Sequence, residues 1–415
     1  MNSATGESDR DPAKAAEQLQ VVRPKVRLRD DDAEVFRTLA HSVVSRTLAH
    51  ECEYRRQGSP EPGTHEWRLI KRQNGLRVYK SHENGLARLP TGFCIGTIDG
   101  SLDDVLYGLH AKTRHEMRVA NAFLSKGQVK CAVLSLIESG SDRDPSKQLA
   151  LKWMLTQTVG DTRYEKYRDF CTLESMGTGV DGQGERFGYR LIKSVDLAEH
   201  PQLATGDDVV RAKMTMCCIF REDAASRTVR VYSKGMLDMV EDVPPSFLCN
   251  SDATCSMMLS IASATEIAEA KRLTLLALQR VEYVACSSYR KCDESELEEF
   301  FRDTESTTTT SPTITSPMAP TSPDAGQRGS FRQKSSCDTC SVCGKRPPLS
   351  VLVRASLCNC GVCQQRVCHK CQAKRRLFAR SDAVAVACCK ICVMAAKRLH
   401  VDPRDPCPML SSPPM

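Results

Sequence analysis

The chain has 415 residues, a formal net charge of +7 and 22 cysteines. Its length allows two or three domains, and 41% apolar residues can supply a sizeable core. No run of 18 apolar residues occurs, which excludes a helical membrane span. Met1 to Lys14 is polar and partly acidic, unlike a secretory signal. The expected setting is therefore inside the cell, cytoplasmic or peripheral on endosomal or other internal membranes. Thiols stay reduced there, and abundant cysteine means metal ligands or buried thiols.

Charge is uneven. Residues 1–300 hold 41 Lys/Arg and 44 Asp/Glu, a net of −3, whereas residues 331–400 hold 14 and 2, a net of +12, together with 11 of the cysteines. A basic segment of this kind suits an anionic surface or an acidic partner.

In chain order, 1–31 reads as a disordered leader. Val35, Phe36, Leu39, Val43, Val44 and Leu48 recur at helical steps within Asp32–Arg56, with Asp30 to Asp32 placed to cap the start. Asn74-Gly75 predicts a hairpin over Trp67–Lys80. Further strands are expected at Phe93–Ile98, Cys131–Leu136, Leu149–Thr156, Phe170–Glu174, Phe187–Val195, Ala212–Arg221 and Val229–Leu237, with a helix over Leu102–Ala111 capped by Ser101. Ser251–Val284 reads as one long closing helix. This is an α+β layout: a curved antiparallel sheet covered by a long C-terminal helix, enclosing an interior that is a ligand cavity where side chains do not fill it. The body then spans 32–290. Residues 291–336 form a linker, since 16 of the 20 residues 304–323 are Ser, Thr or Pro. The cysteine-rich segment occupies 337–398, and 399–415 is a disordered tail.

Four Cys-x-x-Cys pairs carry the strongest chemistry: Cys340/Cys343, Cys360/Cys363, Cys368/Cys371 and Cys389/Cys392. Two such knuckles complete one tetrahedral zinc site, so four make two closed structural sites, and two Zn²⁺ are the expected cofactors. Cys337 and Cys388 offer rival registers. The spacing, with Cys343-Gly344, resembles the FYVE zinc-finger family. That resemblance implies a cross-brace: Cys340, Cys343, Cys368 and Cys371 in one site, Cys360, Cys363, Cys389 and Cys392 in the other. A RING finger, with ubiquitin ligase activity, is the competing cross-brace, but it needs a His after the third cysteine and none stands there. The basic Arg-Arg/Lys-His-His-Cys-Arg run of FYVE fingers is replaced by Ser356-Leu-Cys-Asn-Cys-Gly361. The expected finger therefore lacks specific phosphatidylinositol 3-phosphate recognition. Lys345, Arg346, Arg354, Lys370, Lys374, Arg375 and Arg376 remain as contacts for an anionic membrane, and Leu349–Val353 reads as a small core strand.

The body is similar to START and START-like lipid-binding domains. The resemblance is carried by Gly75-Leu-Arg-Val-Tyr79, Gly96-Thr-Ile-Asp-Gly100, Lys152-Trp153, Tyr167-Arg-Asp-Phe170 with Leu173-Glu174, Arg190-Leu-Ile-Lys-Ser-Val195 and Val231-Tyr-Ser-Lys-Gly235. A START-like body joined to a FYVE-type finger also resembles a family abundant in oomycetes. It implies a helix-grip fold whose tunnel holds one lipid or sterol, with Trp153, Arg168, Met257, Met258 and Ile261 as candidate cavity residues. No hydrolase, phosphate-loop, zinc-protease or dinucleotide motif is present, so an enzyme is not expected. Neither is nucleic-acid binding. The competing expectation is a protein-interaction adaptor with a filled body.

Overall fold

Alternation along the strands and one helical stripe build the body, seen in a computed structural model. The structure describes residues 23–82, 91–124, 130–157, 167–201, 209–238, 252–289, 339–346, 357–380 and 382–412. The linker, Cys337, Arg354 and Leu349–Val353 lie outside them. The chain divides into two compact units. One is Met1–Arg272 with Arg376–Val384 and Lys397–Pro413; the other is Leu273–Arg375 with Ala385–Ala396 and Pro414–Met415.

In the larger unit, helix α1 (Asp30–Arg56) precedes strands β1 (Trp67–Gln73), β2 (Leu76–Ser81) and β3 (Thr91–Asp99). Helices α2 (Leu102–Leu109) and α3 (Arg114–Leu124) follow, then β4 (Lys130–Glu138), β5 (Gln148–Gln157), β6 (Tyr167–Val180), β7 (Arg186–Ser194), β8 (Val209–Arg211), β9 (Lys213–Asp223) and β10 (Thr228–Asp238). These strands form a 10-stranded sheet in the order β1-β2-β3-β10-β9-β7-β6-β5-β4, with β8 parallel to β6 and every other pairing antiparallel. The β1–β2 hairpin turns through Asn74 and Gly75 at positive φ, and a Cβ on Gly75 would meet the Thr97 carbonyl oxygen at 2.1 Å.

Both faces of this sheet are covered. Ala33, Ala40, Val43, Val44, Thr47 and Glu51 form the buried stripe of α1. It packs with Leu149, Leu151, Trp153 and Leu155 of β5 and with Leu173 and Leu191. The opposite face meets α2 and two closing helices, α4 (Asp252–Leu259) and the start of α5 (Ala264–Tyr289). Helix α1 begins two residues before the expected point. The three aspartates therefore sit in its first turn, where they complement the helix dipole, and the cap position, Arg29, makes no side-chain cap bond. The Ser101 cap on α2 forms as a full capping box with Asp104.

The closing helix is not continuous. Ser260–Ser263 forms a 3₁₀ segment between α4 and α5. The Ser260 hydroxyl donates to the Met257 carbonyl at 2.6 Å, a local bond that competes with the α-helical ladder. Two further expectations meet ordered structure. Val26, assigned to the leader, is buried and donates its backbone N–H to the Leu134 carbonyl. Residues 399–412, assigned to a tail, include Leu410, which bridges Ala379, and three carbonyls at 403–405 that receive the Lys112 ammonium.

The smaller unit contains β11 (Cys358–Asn359) paired with β12 (Arg366–Val367). Strands β13 (Gln372–Ala379) and β14 (Asp382–Cys389) form a second two-stranded sheet, and helix α6 (Lys390–Arg398) follows. Their outer ends, Arg376–Val384 and Lys397–Arg398, are grouped with the larger unit.

Candidate ligand cavity and metal centres

The sheet face turned away from α1 leaves a cavity of about 450 Å³. Strand alternation decides what enters it. On β5, Lys152, Met154 and Thr156 line the cavity while the odd-numbered neighbours face α1. On β6 the lining residues are Thr172 and Glu174, and on β7 Arg190 and Ile192. Five methionines contribute to the wall: Met117, Met154, Met214, Met216 and Met257. Their unbranched thioether side chains can accommodate irregular apolar shapes.

One buried ionic cluster interrupts this apolar wall. Lys152 Nζ bonds Glu174 Oε2, and Arg190 Nε donates to Glu174 Oε1 at 2.6 Å. The Lys152 and Glu174 side chains are 4% and 6% exposed, so water can screen the pair very little. Burial pushes the Glu174 carboxyl upward, but Arg190 and Lys152 more than offset it, holding the carboxyl well below the usual range.

A second polar group ties α2 to α5. Lys271 is buried, and its ammonium donates to the Tyr107 and His110 carbonyls at 2.8 and 2.9 Å. These carbonyls end α2, where backbone acceptors lack helical partners and the dipole favours a cation. The Tyr107 ring centroid lies 4.8 Å from the same ammonium. Burial first, then the charges of Lys271, Lys152 and Lys112, lower the His110 pKa to about 3. Gly108 makes the crossing possible: a Cβ there would lie 1.8 Å from the Ala264 carbonyl oxygen.

The expected cavity residues fall in different places. Met257 lines the cavity. Trp153 is buried on the α1 face, where its indole donates to Asp169 Oδ2 at 3.2 Å. Met258 and Ile261 are wholly buried among the core side chains beside the cavity rather than in its lining. Arg168 is buried near the start of β6, beyond the lining residues of that strand. Sequence reasoning assigned no ligand role to Lys152, Glu174, Arg190, His110 or Lys271. The available signal was charge in the middle of strands whose neighbouring residues are apolar.

In the smaller unit, the eight paired cysteines gather into two groups: Cys340, Cys343, Cys368 and Cys371, and Cys360, Cys363, Cys389 and Cys392. Within each group the ligand atoms lie within 4.8 Å of one another, the same first-with-third and second-with-fourth grouping that the FYVE resemblance implies. The Cys343–Cys368 and Cys363–Cys389 sulfur separations are 3.9 and 3.8 Å. Four thiolates at the usual Zn–S distance of about 2.3 Å stand about 3.8 Å apart on a tetrahedron, so the donor set fits zinc. Backbone N–H groups support the sulfurs: Val362 and Cys389 donate to Cys360 at 3.4 and 3.2 Å, and Cys392 donates to Cys389 at 3.3 Å. Cys388 is buried outside both groups.

Of the expected membrane contacts, Lys345, Arg346, Lys370 and Lys374 are exposed, and Arg375 is half-buried. Arg376 is engaged with Phe123: Nη1 donates to its carbonyl at 2.8 Å, and the guanidinium lies 4.5 Å from its ring centroid. Among the described residues, no helix is long and apolar enough to cross a membrane.

No family model and no curated protein matches this chain. Three human structures show a loose likeness. With human StAR-related lipid transfer protein 5 the identity is 14% and the TM-score 0.37, over 55% of this chain and 97% of that one. With human STARD10 the values are 14% and 0.35, over 59% and 82%. With the lipid transfer and protein localization domain of human StarD13 they are 12% and 0.34, over 52% and 96%.

Proposed function

We propose that this chain is a lipid-binding protein in which a START-like body holds one lipid or sterol and a FYVE-related finger carries two structural zinc ions. The observation that carries the reading is the cavity of about 450 Å³, whose described lining includes five methionines and one ionic cluster. It exceeds the roughly 300 Å³ at which ligand pockets begin. Side chains that filled the body would have left no such space, which weighs against the adaptor reading. Each four-cysteine group offers zinc a complete shell, leaving no position open for water, so the metal holds a fold rather than performing chemistry. The exposed Lys345, Arg346, Lys370 and Lys374 would bring the finger to an anionic membrane from which the body takes or delivers its ligand.

Native mass spectrometry of the full chain, incubated with total-lipid vesicles and then separated from them, tests both halves. The expected species carries two zinc ions and one lipid mass. A chain that emerges with no lipid overturns the cavity reading, and a chain with fewer than two zinc ions overturns the cross-brace.

A further inference from the structure

The chemistry of the cavity wall narrows the ligand class, an inference that rests on the cavity reading above. Among the described lining residues only Lys152, Glu174 and Arg190 are charged, two cations against one anion. Glu174 spends one carboxylate oxygen on each cation. Arg190 reaches it through Nε, so its terminal Nη1 and Nη2 are not used on that carboxylate. The nearest other buried groups leave that excess unchanged, because Lys271 adds one cation and Glu116 one carboxylate. Lys271 is a further cation, bonded only to carbonyl oxygens. The Glu116 carboxylate receives the backbone N–H groups of Lys112, Thr113 and Cys407. A positive excess in a water-poor wall is costly unless an anion meets it.

Other headgroups fit less well. None of the described lining residues is aromatic, so they offer a quaternary ammonium no π-face to rest on. A zwitterion would also bring a third cation to a wall whose described carboxylate is already shared. A neutral hydroxyl could accept a hydrogen bond from Arg190 but would leave the excess charge in place.

We infer that the cavity selects an anionic amphiphile, whose carboxylate or phosphate docks on the free edge of the Arg190 guanidinium beside Lys152 while its hydrocarbon lies against the methionine wall. A planar guanidinium edge matches either oxyanion through paired N–H donors.

The test uses full-length protein and two tail-matched pairs of single-chain probes below their micelle thresholds. Oleate is paired with oleyl alcohol, and lysophosphatidate with lysophosphatidylcholine; the two pairs distinguish carboxylate from phosphate. Wild type should bind the anionic member of at least one pair about tenfold or more tightly. Arg190→Gln should lose that preference, because the Lys152–Glu174 pair it leaves behind is neutral. Equal affinities within both pairs overturn the anion preference and leave the cavity reading standing. Binding of none of the four probes overturns both. A preference that survives Arg190→Gln places the anion elsewhere and also overturns the inference. If Arg190→Gln releases every probe, Arg190→Lys decides: it keeps the charge, so a retained preference supports the inference and a lost one overturns it.

Discussion

Lys152 and Glu174 meet diagonally across adjacent strands, two residues out of direct register. Lys152 is paired with Thr172, and Glu174 with Ala150 and Ile192. Both side chains therefore emerge on the cavity face and close an ion pair there, with Arg190 approaching the carboxylate from the next strand. Glu174→Gln removes the counter-charge that Lys152 and Arg190 share. It should lower unfolding stability by about 3–5 kcal/mol, the usual cost of breaking a buried pair from one side. Urea denaturation measures this; a loss within about 0.5 kcal/mol would mean the cluster is solvated.

His110 predicts a pH dependence. It is neutral in the fold, with its pKa lowered to about 3 by burial first and by Lys271, whereas in the unfolded chain it titrates near about 6.5. Between those values the unfolded state holds more protons, so stability is complete above about 6.5 and falls as pH drops toward about 3. Glu174, held low, adds its loss only below its unfolded value of about 4.3. Denaturation of wild type and His110→Gln between pH 6.5 and 5 isolates the histidine. The wild type should be steeper by up to about 1.4 kcal/mol per pH unit, and identical slopes would contradict the burial of a neutral ring.

Gly108→Ala tests the crossing of α2 and α5. In an open helix the change would stabilise by about 1 kcal/mol. Here the added methyl would run into the Ala264 backbone, so the sign should reverse, to a loss of about 2 kcal/mol or more. Thermal unfolding reads the sign directly.

The metal centres predict a stoichiometry pattern. Cys368→Ser should bind one zinc ion where wild type binds two, and Cys388→Ser should keep both, because Cys388 stands outside each group. Zinc counted by native mass spectrometry checks this. A loss of zinc in Cys388→Ser would mean that the last knuckle is shifted by one residue.

What could be read from sequence divides along physical lines. The cysteine groups were legible because a Cys-x-x-Cys knuckle is local, and its spacing alone limits what it can do. Strands β1 to β7, β9 and β10 and the Ser101 cap were legible for the same reason. Which face of β5 looks into the cavity was not. With both faces of the sheet covered, Lys152 and Trp153 alternate between two apolar environments, and strand period does not distinguish them. The choice of Trp153 as a cavity residue fails there, while Lys152, one position earlier, is the residue that lines it. The break at Ser260–Ser263 was hidden because its residues continue the helical pattern of their neighbours. Helix α3 was missed because its single turns of apolar residues, Met117, Val119 and Phe123, do not form a long stripe.

The five methionines of the cavity have a consequence beyond packing. Sulfur is the one atom in an apolar side chain that peroxide can attack, and each thioether that gains an oxygen becomes a polar, chiral sulfoxide. Met216, only 1% exposed, is shielded by the fold, while Met154 and Met257 are partly accessible. Oxidation would therefore start at the partly accessible part of the wall and replace hydrocarbon contact with a strong acceptor facing any bound tail. Occupancy by a lipid would shelter the same sulfurs, tying the protein's resistance to oxidants to whether it is carrying cargo.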